Sequence, residues 1–182
     1  MKFTLTNVRL AFPDIFTPKI NDKGVASYGA AFIFSENHPD KAKLDAVIDQ
    51  VGATKWGAKW PQMKKQMAAG DNLLIHNGDA KASLEGYEGN LYLNSYNKVR
   101  PTVVDRDTTP LTAADGKPYS GCYVIAILDI WAQDNEYGKK INAQLQGLQF
   151  YKDGDAFAGG GKAAEASDFA PITDGADAEE LV

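Results

Sequence analysis

From Gly70 onward, apolar and polar residues alternate in short runs separated by Gly and Asx turns, and this period of two restricts the possible folds more than any other feature. The runs cover 72–76, 89–96, 101–105, 120–132 and 143–151. Upstream, Phe3 and Leu5 followed by Val8 and Leu10 predict a first strand with a break near Asn7, and 27–34 predicts its partner across the Asn21-Asp22-Lys23-Gly24 turn. Between these strands and the later runs lies a stretch of helical period. Pro39 suits a first helical position after a cap at Asn37 or His38, and Leu44, Val47, Ile48 and Val51 recur at i, i+3, i+4 and i+7. The helix is expected over 39–51, with continuation past Gly52 through Trp56 and Trp60 left open. Short strands with one helical insertion and no βαβ alternation predict a mainly β chain with one or two helices, a small antiparallel barrel rather than a doubly wound sheet.

A second boundary is compositional. Gly159-Gly160-Gly161 precedes a segment in which six acids (Glu165, Asp168, Asp174, Asp177, Glu179 and Glu180) face no Lys or Arg. The chain carries −5 overall, yet the part up to Lys162 has 18 acids against 19 bases and stands near +1. So few large apolar residues cannot offset the entropy of ordering, which predicts a domain at 1–158 and a Gly-rich linker with a disordered acidic tail at 159–182. Phe169, Leu181 and Val182 are candidate docking anchors for a protein partner within that tail, beside Asp174, Asp177, Glu179 and Glu180.

Several function classes find no support. The first ten residues, MKFTLTNVRL, contain no apolar core of a leader, and no run of about 18 apolar residues occurs, so a chain that is not exported and has no membrane association is expected. Cys122 is the one cysteine, and with His38 and His76 it forms no ligand set, so neither metal nor other cofactor is expected. There is no phosphate loop, no nucleophile elbow and no His-Glu-x-x-His helix. Asp105 and Asp107, with Asp134, are the carboxylates a magnesium-dependent nuclease would need, although Asp105-Arg106-Asp107 before Thr108-Thr109-Pro110 also describes a charged turn.

The run 90–98 carries the most chemistry. Its alternation puts Leu91, Leu93 and Ser95 on one face and Asn90, Tyr92, Asn94, Tyr96 and Lys98 on the other. Two tyrosines with amides between them and a lysine at the end supply what a stacking platform beside a phosphate track requires, since every base offers a π-face. The same tyrosines also fit an ordinary strand surface. Lys98, Arg100 and Arg106 bracket the next run, and Lys139 and Lys140 follow the 134–138 turn, either as phosphate contacts or as solvated loop residues. Trp56 and Trp60, near Lys64 and Lys65, have the i, i+4 spacing of helix-to-barrel packing.

Read as ordered blocks, the chain resembles a family, the single-stranded DNA-binding proteins of tailed phages once catalogued as a domain of unknown function. The blocks are 7–13 (NVRLAFP), Arg100-Pro101 with Val103-Val104-Asp105, 119–124 (YSGCYV), 131–135 (WAQDN), 147–150 (GLQF), Asp153-Gly154 and 166–169 (ASDF). The resemblance implies an OB-fold and sequence-tolerant, non-catalytic binding of single-stranded DNA in phage replication or recombination, in the cytoplasm of an infected bacterium. It also implies an acidic tail that competes with DNA and recruits replication or recombination proteins. A homodimer is left open, as is an alternative in which the barrel is a phage structural adaptor. Tyr123 and Trp131, aromatics within two of the blocks, join Tyr92, Asn94, Tyr96, Lys98, Arg100, Arg106, Lys139 and Lys140 as the candidate DNA-binding set.

Overall fold

The structure is a computed structural model that describes residues 1–157 and 166–171. Among the described residues, seven strands and two α-helices follow the order β1 (Lys2–Ile20), β2 (Ala26–Phe34), α1 (Lys41–Trp56), α2 (Trp60–Ala69), β3 (His76–Asn77), β4 (Leu91–Asn97), β5 (Thr102–Val104), β6 (Tyr123–Asn135) and β7 (Gly138–Lys152). The sheet runs β3-β4-β2-β1-β6-β7-β5, and an added pairing of β4 with β7 closes β1, β2, β4, β7 and β6 into a five-strand barrel. Among the described residues, no helix is long and apolar enough to cross a membrane.

β1 is the strand shared by both halves of the barrel, and three irregularities let it serve both. It pairs with β6 from Lys2 to Arg9 and with β2 from Arg9 to Ile20, with register shifts between Leu5 and Val8, between Ala11 and Asp14 and again before Lys19. Asn7 stands in the left-handed region at φ 54°, which fits the break expected there, because an asparagine tolerates that conformation better than most side chains. The strand continues well beyond the expected end at Leu10; Pro13 and Pro18 sit within it, near the shifts where ladder donors are least needed.

Alternation fills the barrel. Leu5, Leu10, Phe32, Leu93, Val124, Leu128, Ile130 and Leu145 are fully buried, and Ser95 joins them with its hydroxyl donating to the Ala30 carbonyl at 3.3 Å. Cys122, also fully buried, has its thiol pushed up to about 11 by burial. Leu44 and Ile48 of α1 and Trp60, Met63 and Met67 of α2 belong to the same core. Trp60 is placed by Gly52, where a Cβ would lie 2.4 Å from the indole. Trp56 stacks on Trp60 with ring centres 5.6 Å apart and donates from Nε1 to Asp134 at 2.9 Å, so both tryptophans serve packing. Asp49 accepts from Lys64 at 2.7 Å and from the Trp60 indole at 2.9 Å, and the lysine first of all holds its carboxyl below the usual range.

Three further features depart from the sequence expectation. The first helix begins at Lys41 behind Asp40, not behind Asn37 or His38, because 35–40 is taken up by turns in which the His38 amide donates to the Ser35 carbonyl at 3.1 Å and the Asp40 amide to His38 Nδ1 at 3.1 Å. The run 72–76 is irregular apart from His76, which pairs with Tyr92. β4 and β5 both pair with β7 in parallel, so the barrel is not wholly antiparallel. The segment 78–90, which has no clear periodicity, folds into short turns that place Tyr87 at 1% exposure against the outside of the barrel.

Candidate nucleic-acid interface

The outer face of β2 and β4 is divided in two. At one end Ala11, Ala31, Ile33, Tyr87, Tyr92 and Phe157 form a small second core. Tyr92 is only 5% exposed there, held edge-on by Tyr87 at 5.1 Å, faced by His76 at 5.1 Å and covered by Lys81 Nζ at 4.6 Å from its ring centre. It shares the face of Asn94 and Tyr96 as the alternation predicts, but the 78–90 segment and Phe157 cover it, so it offers no open ring for stacking. The Tyr87 hydroxyl is buried without a hydrogen-bond partner among the described residues, and burial pushes it up to about 12.

At the other end the face opens into a groove of about 750 Å³. Its floor comes from β4, β7 and β6, where Tyr96 pairs with Gln144, Gln144 with Asp129, and Asn142 with Trp131. The loop residues Asp71, Asn72, Leu73 and Leu74 line one side, with Asp71 bound to His76 Nδ1 at 2.7 Å. Tyr96 is 61% exposed and Trp131 42% exposed, and Lys98 and Lys140 lie exposed beside them. Tyr96 can lie low on the sheet because of Gly29, its β2 partner: a Cβ there would come within 2.6 Å of Tyr96 Cδ1 and 2.8 Å of the Ser95 carbonyl. Across two strand spacings and two residues of rise, the Tyr96 and Trp131 backbones stand roughly 12 Å apart.

Asn94, Tyr96, Lys98, Trp131 and Lys140 therefore share one concavity. Lys139 is exposed next to Lys140 in the β6–β7 hairpin, and Arg100, two residues past Lys98, is exposed with its guanidinium 5.6 Å from the Phe16 ring centre. Two candidates lie elsewhere. Arg106 sits in a turn whose carbonyl accepts from Gln149, five residues along β7 from Gln144 and roughly 16 Å away at strand rise. Tyr123 is half-buried at the far end of β6, opposite Lys152 and beneath its ammonium at 4.7 Å. The sequence reading missed Asn97, Asn142 and Gln144, although Asn142 and Gln144 alternate with the buried Ile141, Ala143 and Leu145.

The carboxylates considered for a metal do not converge. Asp105 is paired with Lys117 at 2.8 Å, Asp107 accepts from the Thr109 amide at 3.0 Å in the same turn, and Asp134 is engaged by Trp56 at the opposite end of the β6–β7 ladder. Lys117 and the Arg106 amide hold the Asp105 carboxyl below its ordinary range. Among the described residues no group of three or more potential ligands could hold a metal ion. Of the tail candidates, Phe169 follows a short helical turn at Ala166–Asp168 and is 68% exposed, whereas Asp174, Asp177, Glu179, Glu180, Leu181 and Val182 lie outside the described residues.

A closed five-strand barrel with a groove over its third strand, bounded by the hairpin between its last two, is an OB-type barrel, a class that binds oligonucleotides and oligosaccharides on this side. The family model described as "Enterobacter phage Enc34, ssDNA-binding protein" matches residues 1–182, and the chain belongs to that family. "Putative protein p50" of Acyrthosiphon pisum secondary endosymbiont phage 1 is 45% identical over 168 residues, covering 90% of each chain. In fold, the chain is similar to the single-stranded DNA-binding protein from bacteriophage Enc34 in complex with ssDNA, with TM-score 0.74, 24% identity and coverage of 86% of this chain and 89% of that one. It is also similar to gp2.5, a single-stranded DNA-binding protein encoded by bacteriophage T7, with TM-score 0.60, 10% identity and 92% of each chain covered.

Proposed function

We propose that this protein binds single-stranded DNA without catalysis during phage DNA replication or recombination, in the groove between Tyr96 and Trp131. The observation that carries the reading is the pairing of two exposed aromatic rings with Lys98 and Lys140 in one concavity, on a chain of this family. Bases stack on the rings whatever their identity, and the lysines, with Lys139 and Arg100 at the rim, take phosphates. Asp71 and Asp129 also line the groove, so stacking carries more of the affinity than charge. The acidic tail competes with DNA for the groove and, through Phe169 and the Leu181-Val182 terminus, recruits replication proteins.

The test is a fluorescence titration with single-stranded oligonucleotides, alongside a gel shift with single-stranded DNA, duplex DNA and RNA. Trp60 is buried and Trp56 is stacked on it, so quenching reports mainly on Trp131. Saturable quenching by single-stranded DNA that disappears in Trp131→Ala supports the reading; no binding to any oligonucleotide at low salt overturns it.

A further inference from the structure

We propose that Phe12 is a third stacking ring, which takes a base of the single strand beyond the Tyr96–Trp131 groove as that strand crosses from β4 over β2 to β1, a role that rests on the binding proposed above.

Alternation along β1 would bury this side chain. Leu10 points into the barrel core and Ala11 belongs to the small second core outside it, so the next residue should turn inward again. Phe12 does not. The register against β2 slips between Ala11 and Asp14, where three steps along β1 match two along β2, and Phe12 takes φ 48°, in the left-handed region that bulky side chains avoid. The ring is turned out onto the side of Tyr87, with ring centres 6.4 Å apart in a tilted contact, and stands 59% exposed. A conformation that glycine would adopt at lower cost is therefore held by a large apolar ring that the chain's own packing leaves more than half uncovered.

The place of the ring continues the groove. Ala11, Ala31 and Asn94 form one row across β1, β2 and β4, and Asp14, Gly29 and Tyr96 form the next. Phe12 falls between the two rows, two strand spacings from β4, so its backbone stands roughly 10 Å from that of Tyr96, much as Tyr96 stands from Trp131. The Tyr96 ring lies over Gly29 and so leans toward β1, and nothing of Gly29 rises between the two rings. Lys81 Nζ, 5.7 Å from the Tyr87 ring centre, supplies a cation at the Phe12 end. Asp14 is half-buried opposite Gly29, so here too stacking outweighs charge. A single strand stacked on Tyr96 and continuing over β2 meets Phe12 next, and an apolar ring accepts any base.

The test uses the full chain and an oligothymidylate length series. Phe12→Gly removes the ring and suits the backbone, so its urea midpoint should hold or rise, while affinity for a long oligomer should fall about tenfold, the effect of losing one stacked base. The loss should vanish for oligomers too short to reach past Tyr96 from Trp131. A second variant keeps a ring in place: Phe12→Trp, made together with Trp131→Phe, should show emission that a long oligomer quenches and a short one does not. A clearly lowered midpoint in Phe12→Gly would assign the ring to packing on Tyr87 and overturn the inference. Long-oligomer affinity unchanged in Phe12→Gly, or an indole at position 12 that no oligomer quenches while binding persists, would overturn it as well. Failure of the wild-type chain to bind any oligomer would strike the proposed function itself.

Discussion

Tyr92 and Tyr96 show how one strand face can hold two different jobs four residues apart. Both point outward from the barrel, but Tyr92 is packed by Tyr87, His76 and Phe157, whereas Tyr96 lies open over Gly29. Their alanine variants should therefore separate. Tyr92→Ala removes a buried ring and should lower stability by about 3–5 kcal/mol, read as a fall in the urea midpoint. Tyr96→Ala deletes an exposed ring, should leave stability within about 0.5 kcal/mol, and should weaken single-strand binding by about 1–3 kcal/mol. A Tyr92→Ala protein as stable as wild type would mean the second core contributes little. Unchanged DNA affinity in Tyr96→Ala would move the site off this part of the groove. Gly29 belongs to the same argument, because any side chain there competes with the Tyr96 ring for space.

Among the elements, the β6–β7 hairpin combines support and charge. Its ladder runs from Val124↔Phe150 to Asn135↔Gly138, so Lys139 and Lys140 are presented at the end of a long, well-paired ribbon. If both lysines contact phosphates, Lys139→Gln with Lys140→Gln should shallow the slope of log affinity against log salt by about 1.4, at about 0.7 per contact on single strands. A slope that does not change would make them solvated turn residues. The strands of this ribbon were legible in the sequence because the inward residues Val124, Ala126, Leu128 and Ile130 alternate without interruption. What was not legible is coverage. Alternation assigns Tyr92 to a face, but nothing local to the strand says that 78–90 and Phe157, distant in sequence and aperiodic, fold over it. The groove floor was hidden for a similar reason: Tyr96 and Gln144 become neighbours only through the parallel β4–β7 pairing that closes the barrel, and that pairing leaves no mark in either segment. Lys98 was a candidate through the strand-face alternation, Lys140 through its place after the 134–138 turn and Trp131 through a resemblance block, whereas Asn142 and Gln144 are amides whose placement depends on hydrogen-bond partners distant in sequence.

At the scale of the whole molecule, charge is split along the chain, with about +1 up to Lys162 and −6 beyond it. The last residues before that acidic stretch are firmly held. Arg9 donates to the Asp155 carbonyl at 2.7 Å and stacks over Phe157 at 4.3 Å, the Tyr119 hydroxyl donates to the Gly154 carbonyl at 3.0 Å, and the Phe157 amide donates to Ser120 at 3.1 Å. Phe157 sits in the same small core as Tyr92, and Tyr92 is four residues, roughly 13 Å, from Tyr96 along β4. The 25 residues after Phe157 thus start beside the groove, and a chain of that length, were it a coil, would span roughly 25–30 Å. On the proposed competition, a polyanion at that range would have a high effective concentration over Lys98 and Lys140, and salt would screen its hold. Truncation after Lys162 should therefore tighten single-strand binding at low ionic strength, by a margin that shrinks as salt rises through the range where the Debye length falls from about 30 Å to 8 Å. The measurement is a pair of salt titrations, full-length against truncated, with the same oligonucleotide. Curves that coincide at low salt would mean that the tail does not visit the groove. Curves separated by a constant factor at all salt concentrations would mean that it acts by some means other than charge.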